Sequence, residues 1–143
     1  MAIAQHIRMG TWGMGPFEND GAHDFLDDGS DHPEQAVRDA LAVLKRRDYL
    51  DVDEAQAALA ACELVALGFG YGRTAGLDKR ILRFAAALGP NDALRKLALD
   101  ALPRIAQRKV SELADLWHEG SDGSKFDAAV ANLKSRLEAA SDD

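Results

Sequence analysis

Scarcity is the first information in this chain. It has one cysteine, Cys62, so no intramolecular disulfide can form and a reducing compartment is expected. Aromatic residues make up only 6% of the sequence, and Ala, Leu and Val supply most of the apolar content. Strands favour aromatic and β-branched side chains, so this composition points to helices. Bases are also short: 17 Lys and Arg face 24 Asp and Glu, a net charge of −7. That balance opposes general affinity for nucleic acid or an anionic membrane surface. Long hydrophobic runs are missing too. "MAIAQHIR" has no signal-peptide core, and the most apolar window, "AALAACELVALGFGYG", carries Glu63 and ends in glycines. It reads as a buried helix, not a membrane span, and a cytoplasmic protein is expected.

Other absences exclude chemistry. The four histidines (His6, His23, His32 and His118) never pair at helical or turn spacing, so no zinc site is expected. "DFLDDGSDHPE" does not align its oxygen ligands with a calcium loop. Neither "GTWGMG" nor "GFGYG" follows a strand or ends in Lys-Ser or Lys-Thr, which removes a nucleotide site. There is no GxSxG motif, and Cys62 lies mid-helix without a placed histidine. No cofactor and no metal is implied.

What is present is helical periodicity. At 143 residues the chain suits one domain, and the reading is all-α: a compact bundle of about seven helices over residues 9–140. Helices are expected at about 20–28 (capped by Asn19 or Asp20), 33–47 (Asp31 with Glu34, and Pro33 in the first turn) and 53–68 (Asp51 with Glu54). Others are expected at about 77–88 and at 92–107, the latter capped by Asn91 and kinked or split near Ala101 by Pro103. "SELADLWHEG", capped by Ser111 and ended by Gly120, and a stripe of Phe126, Val130, Leu133 and Leu137, opened by Ser124 and Asp127, complete the set. From Ala55 to Leu67 the only polar side chains are Gln56 and Glu63, so this helix belongs at the centre, with Leu59, Cys62 and Val65 almost inaccessible. Residues 1–8 read as a disordered extension and 141–143 as a frayed tail.

Two features stand apart. "MGTWGMGPFEND" packs Gly10, Gly13, Gly15, Trp12 and a proline into a short irregular stretch. Glu63 is a carboxylate in the most apolar helix, which is costly unless it is paired or hydrogen-bonded. One reading makes Glu63 a general acid-base with Asp20 or Asp24 as its companion, in a hydrolase or lyase. The favoured reading is structural. Trp12 and Phe17 plug the core, and Glu63 accepts from the Trp12 indole or from backbone N–H groups near Thr11 to Met14.

These same residues carry a resemblance. "MGTWGMGPFENDGAHDF" resembles the opening signature of the bacterial family called domain of unknown function 4259, and "AALAACELVAL" and "SELADLWHEG" are similar to its later segments. The likeness spans residues 9–138. It implies that Gly10, Thr11, Trp12, Gly13, Gly15, Phe17, Asn19, Asp20, Asp24, Glu63 and Trp117 are shared motif positions, and that similar proteins start at the methionine matching Met9. Phe25 stands where tryptophan is also common. The resemblance brings no established activity.

Charge is segregated: −6 over residues 1–34, −2 over 35–72, +6 over 73–110 and −5 over the remainder. The expected function is therefore a small non-enzymatic interaction module, accessory or toxin-neutralising in kind, that recognises another protein through charged helix faces. Asp27, Asp28 and Asp31 are the expected partner-binding surface, and the basic middle is a second face that could meet an acidic partner. Besides the acid-base enzyme, a purely structural homo-oligomer is a further reading.

Overall fold

The computed structural model describes residues 15–140. The expectations for residues 1–8, for Gly10 to Met14 (the Trp12 plug and the donors it would offer Glu63), and for the tail at 141–143 lie outside the described residues.

Seven α-helices follow one another among the described residues: α1 Asp20–Gly29, α2 Pro33–Ala42, α3 Val52–Gly68, α4 Lys79–Leu88, α5 Asp92–Ala106, α6 Glu112–Glu119 and α7 Gly123–Ala139. No strand occurs among them. The all-α reading holds.

Local chemistry sets most boundaries. Asn19 caps α1: its Oδ1 accepts the Ala22 N–H at 2.7 Å, and its Nδ2 donates to the Pro16 carbonyl at 3.4 Å. Asp51 and Glu54 form a full capping box on α3, at 2.8 and 3.1 Å. Asn91 caps α5 and Ser111 caps α6 through their side chains.

Several boundaries differ from the sequence expectation. Asp31 does not cap α2; Pro33 keeps the residue before it non-helical, so His32 holds that position, without a side-chain bond, and Glu34 pairs with Arg38 at 2.9 Å. The helix closes at Ala42, and Val43–Arg46 tightens into a 3-10 turn. α4 starts at Lys79 behind an Asp78 cap, and α7 starts at Gly123 behind Asp122. Asp127 does not serve the α7 start; it meets His118 Nε2 at 3.0 Å. Pro103 does not split α5, which runs on to Ala106. The proline is exposed and sits in the closing turn, so only one late backbone bond is forfeited.

α3 is apolar on every side and touches all six other helices. Its alanines let neighbours approach closely: Ala58, Ala60, Ala61 and Ala66 are fully inaccessible, as is Cys62, and Val65 is nearly so. Leu59 is the exception to the expected burial. It is only half-buried, facing a small space shared with Phe126, Val130 and Leu133. A short seam ties the two halves of the chain. The Leu50 N–H donates to the Val110 carbonyl at 2.8 Å, and Glu112 N–H donates to the Leu50 carbonyl at 2.9 Å.

Candidate functional site

Two places concentrate the residues singled out by the sequence. The first surrounds Glu63, where α3 meets α7. The Phe126, Val130, Leu133 and Leu137 stripe buries one face of α7, and Arg136 flanks it beside Leu137. That position carries the guanidinium to Glu63. Nη1 lies 2.6 Å from Oε2 and Nη2 lies 2.8 Å from Oε1, a two-pronged pair. The Arg136 Nε donates to Asn132 Oδ1 at 2.9 Å, which fixes the fork's orientation.

The end of α3 supplies a third acceptor. Gly70 takes a positive φ of +85°, which a residue with a Cβ resists. Its N–H reaches the Leu67 carbonyl and the Tyr71 N–H reaches that of Ala66, which is a Schellman turn. This turn swings the Tyr71 carbonyl to within 3.0 Å of Arg136 Nη1. Gly72 then passes so close that a Cβ there would stand 3.2 Å from Glu63 Oε2 and 3.1 Å from Arg136 Nη1. The carboxylate raises the Arg136 pKa further above its already high ordinary value, chiefly by hydrogen bonding, against the opposing effect of desolvation.

Both Glu63 oxygens are therefore committed to one guanidinium. The cleft above the pair, about 240 Å³, is lined by Pro16, Phe17, Glu63, Arg73, Leu77 and Arg136. Asp20 and Asp24 do not line it. Asp20 is exposed on α1, and Asp24 belongs to a different groove. Phe17 and Asn19 are buried, and Trp117 is buried in a stack on Phe126 with centroids 6.3 Å apart. Gly15 donates its N–H to Glu18 Oε1 at 3.2 Å.

The second place is an open groove of about 550 Å³ between α1, α2 and the start of α3. Its floor is apolar, built from Phe25, Ala36, Ala40 and Ala57, with Gly21 and Gly29 at its sides. Five carboxylates stand around it (Asp24, Asp28, Asp39, Asp53 and Glu54) and no basic side chain lines it. Glu54 is engaged with Arg47 at 3.0 Å, and Asp39 accepts from Gln35 at 2.8 Å. Among the described residues, the carboxylates of Asp24, Asp28 and Asp53 have no hydrogen-bond or ion-pair partner.

Of the three surface acids expected from the sequence, only Asp28 faces this groove. Asp27 pairs with Arg80 of α4, and Asp31 is exposed beyond the end of α1. Sequence reasoning missed Asp39 and Asp53, which lie on other helices. No pattern within one helix marks them: Asp39 stands on α2 and Asp53 in the first turn of α3. Among the described residues, no group of His, Cys, Asp and Glu is arranged to hold a metal ion, and no helix is long and apolar enough to cross a membrane.

The fold and the signature positions together define an all-helical protein built around one apolar hub. More particularly, the chain belongs to the family described as Domain of unknown function (DUF4259), whose pattern matches residues 10–129. Neither a curated protein nor a solved structure matches it significantly.

Proposed function

We propose that this protein is a small non-enzymatic interaction module, of an accessory or toxin-neutralising kind, that captures a basic segment of another protein. The acidic groove carries this reading. It joins an apolar floor to three unpaired carboxylates, Asp24, Asp28 and Asp53. Apolar contact supplies affinity in such a groove, and the charges speed and select the encounter. Its volume lies within the roughly 300–1,000 Å³ of ordinary ligand pockets. A partner strand or helix with lysines or arginines flanking one apolar side chain has the matching chemistry. A single buried thiol suits a reducing compartment, and we read the protein as cytoplasmic.

The enzyme reading asks Glu63 to exchange protons with Asp20 or Asp24. The geometry favours it less, since Arg136 holds both Glu63 oxygens and Asp24 lines another groove. A homo-oligomer would rest mainly on polar contacts, because Tyr49 and Tyr71 are the only large hydrophobic side chains exposed among the described residues.

The test is capture from the native host at low and physiological salt, with the wild type beside a variant carrying Asp24→Asn, Asp28→Asn and Asp53→Asn. A specific basic partner should be lost from the variant, most clearly at low salt, while the melting temperature barely moves. Equal capture by both proteins would end this assignment. A turnover abolished by Glu63→Gln and untouched by the groove changes would restore the enzyme reading.

A further inference from the structure

On the other side of the α1–α2 corner lies a cleft of opposite character. It measures about 350 Å³ and is lined by Ser30, Pro33, Arg80, Arg83, Phe84 and Ala87. Arg80, Arg83, Phe84 and Ala87 recur at helical spacing on α4, so one face presents two guanidinium groups beside an aromatic ring.

The two arginines are in different states. Arg80 is braced: it pairs with Asp27, and its Nη2 lies 2.8 Å from His23 Nδ1. Arg83 is exposed and has no side-chain hydrogen-bond or ion-pair partner among the described residues. Arg46, Arg73 and Arg108 likewise have none, but Arg46 and Arg108 lie outside this cleft. Arg73 faces a cleft whose floor already holds the Glu63 carboxylate. The cleft at Arg83 has no carboxylate in its lining; Asp27, paired with Arg80, stands outside it.

We infer that this cleft is a binding site for a small oxyanion, a phosphate monoester or a group of like charge, held by Arg83 with Arg80 as a fixed second donor. A guanidinium offers paired donors matched to phosphate oxygens, and a pre-braced neighbour lowers the ordering cost of binding. Pro33 opens α2 at the edge of the cleft. Phe84, packed on Phe25 with centroids 5.6 Å apart, gives a rigid apolar wall for whatever carries the anion. The cleft shares no lining residue with the acidic groove.

The phosphoryl group could arrive on a free small molecule or on a phosphorylated side chain. The experiment is a thermal-shift and NMR titration of the full chain with inorganic phosphate, phenyl phosphate and a phosphoserine peptide, each against chloride at matched ionic strength. A saturable response to at least one probe is expected, centred on Ser30, Arg83 and Phe84 resonances. Phenyl phosphate in the lead would identify a free aromatic ester, and the peptide in the lead a modified partner. Arg83→Gln should weaken the best probe by about tenfold or more and leave the anion-free melting temperature unchanged; Arg83→Lys should recover part of the loss. Arg108→Gln should bind as the wild type does. No saturable response to any probe, undiminished binding by Arg83→Gln, or an equal loss in Arg108→Gln would each overturn the assignment.

Discussion

Arg136 grips Glu63 across 73 residues of sequence, at 2.6 and 2.8 Å, and joins the last helix to the central one. The Glu63 side chain is 9% exposed and that of Arg136 26%, so the pair sits at the edge of the core with its acid inside. Breaking a buried pair leaves one charge without its partner, which costs more than the pair itself contributes. Arg136→Met should therefore lower stability by roughly 2–4 kcal/mol in denaturant unfolding. Replacing both residues, with Glu63→Leu beside Arg136→Met, should recover a large part of that loss. A double variant as unstable as the sum of its singles would show that the two act separately.

The Schellman turn offers a finer probe. Gly70 has open space where a Cβ would go, so Gly70→Ala suffers only from its positive φ and should cost about 1 kcal/mol. Gly72 is crowded instead, with Leu67 Cδ2 at 2.7 Å from the position of a Cβ, beside the ion pair. Gly72→Ala should be the more damaging of the two. Calorimetric melting of both variants decides the order.

Cys62 is fully buried, and its Sγ faces the Ala98 carbonyl at 3.8 Å. Burial pushes the thiol far above its ordinary value, and the neighbouring Glu63 charge adds to the rise. A folded-state pKa raised in this way leaves stability intact below the unfolded thiol's value, about 8.5. Above that pH the unfolded chain ionises and the folded one does not, so stability falls by up to about 1.4 kcal/mol per pH unit from this group. Cys62→Ala should flatten the alkaline slope of stability against pH. A thiol-alkylating reagent should label the wild type only at the rate of unfolding.

Much of the architecture was legible because it depends on near neighbours in sequence. The capping box at Asp51 and Glu54, the Asn91 and Ser111 caps and the stripe through Phe126 and Leu137 are all patterns within four residues or one helix face. Where a near-neighbour pattern failed, a competing constraint or contact had won. Pro33 moved the α2 cap from Asp31 to His32, Glu34 pairs with Arg38, and Asp127 meets His118.

The sites were less legible because they are assembled from distant helices. A carboxylate at Glu63 announced that it needed donors, but three bases lie on α7 and only the flank of the apolar stripe distinguishes Arg136 from Lys125 and Lys134. The acidic groove draws on α1, α2 and α3, so an acid run in one segment pointed to Asp27 and Asp31 while the groove uses Asp39 and Asp53.

The contacts of α3 with every other helix have a consequence for how the molecule comes apart. A bundle assembled from pairs can lose one pair and keep the rest. Here the removal of any helix uncovers part of the same alanine-rich surface, and loss of α3 uncovers all six others at once. Opening is thereby made a shared event, and the amides of α3 from Ala58 to Ala66 should exchange with solvent only when the whole molecule does. A chain nicked in the 70–78 loop would follow the same logic: two pieces, each holding surface that only the other can cover, obliged to fold together or not at all.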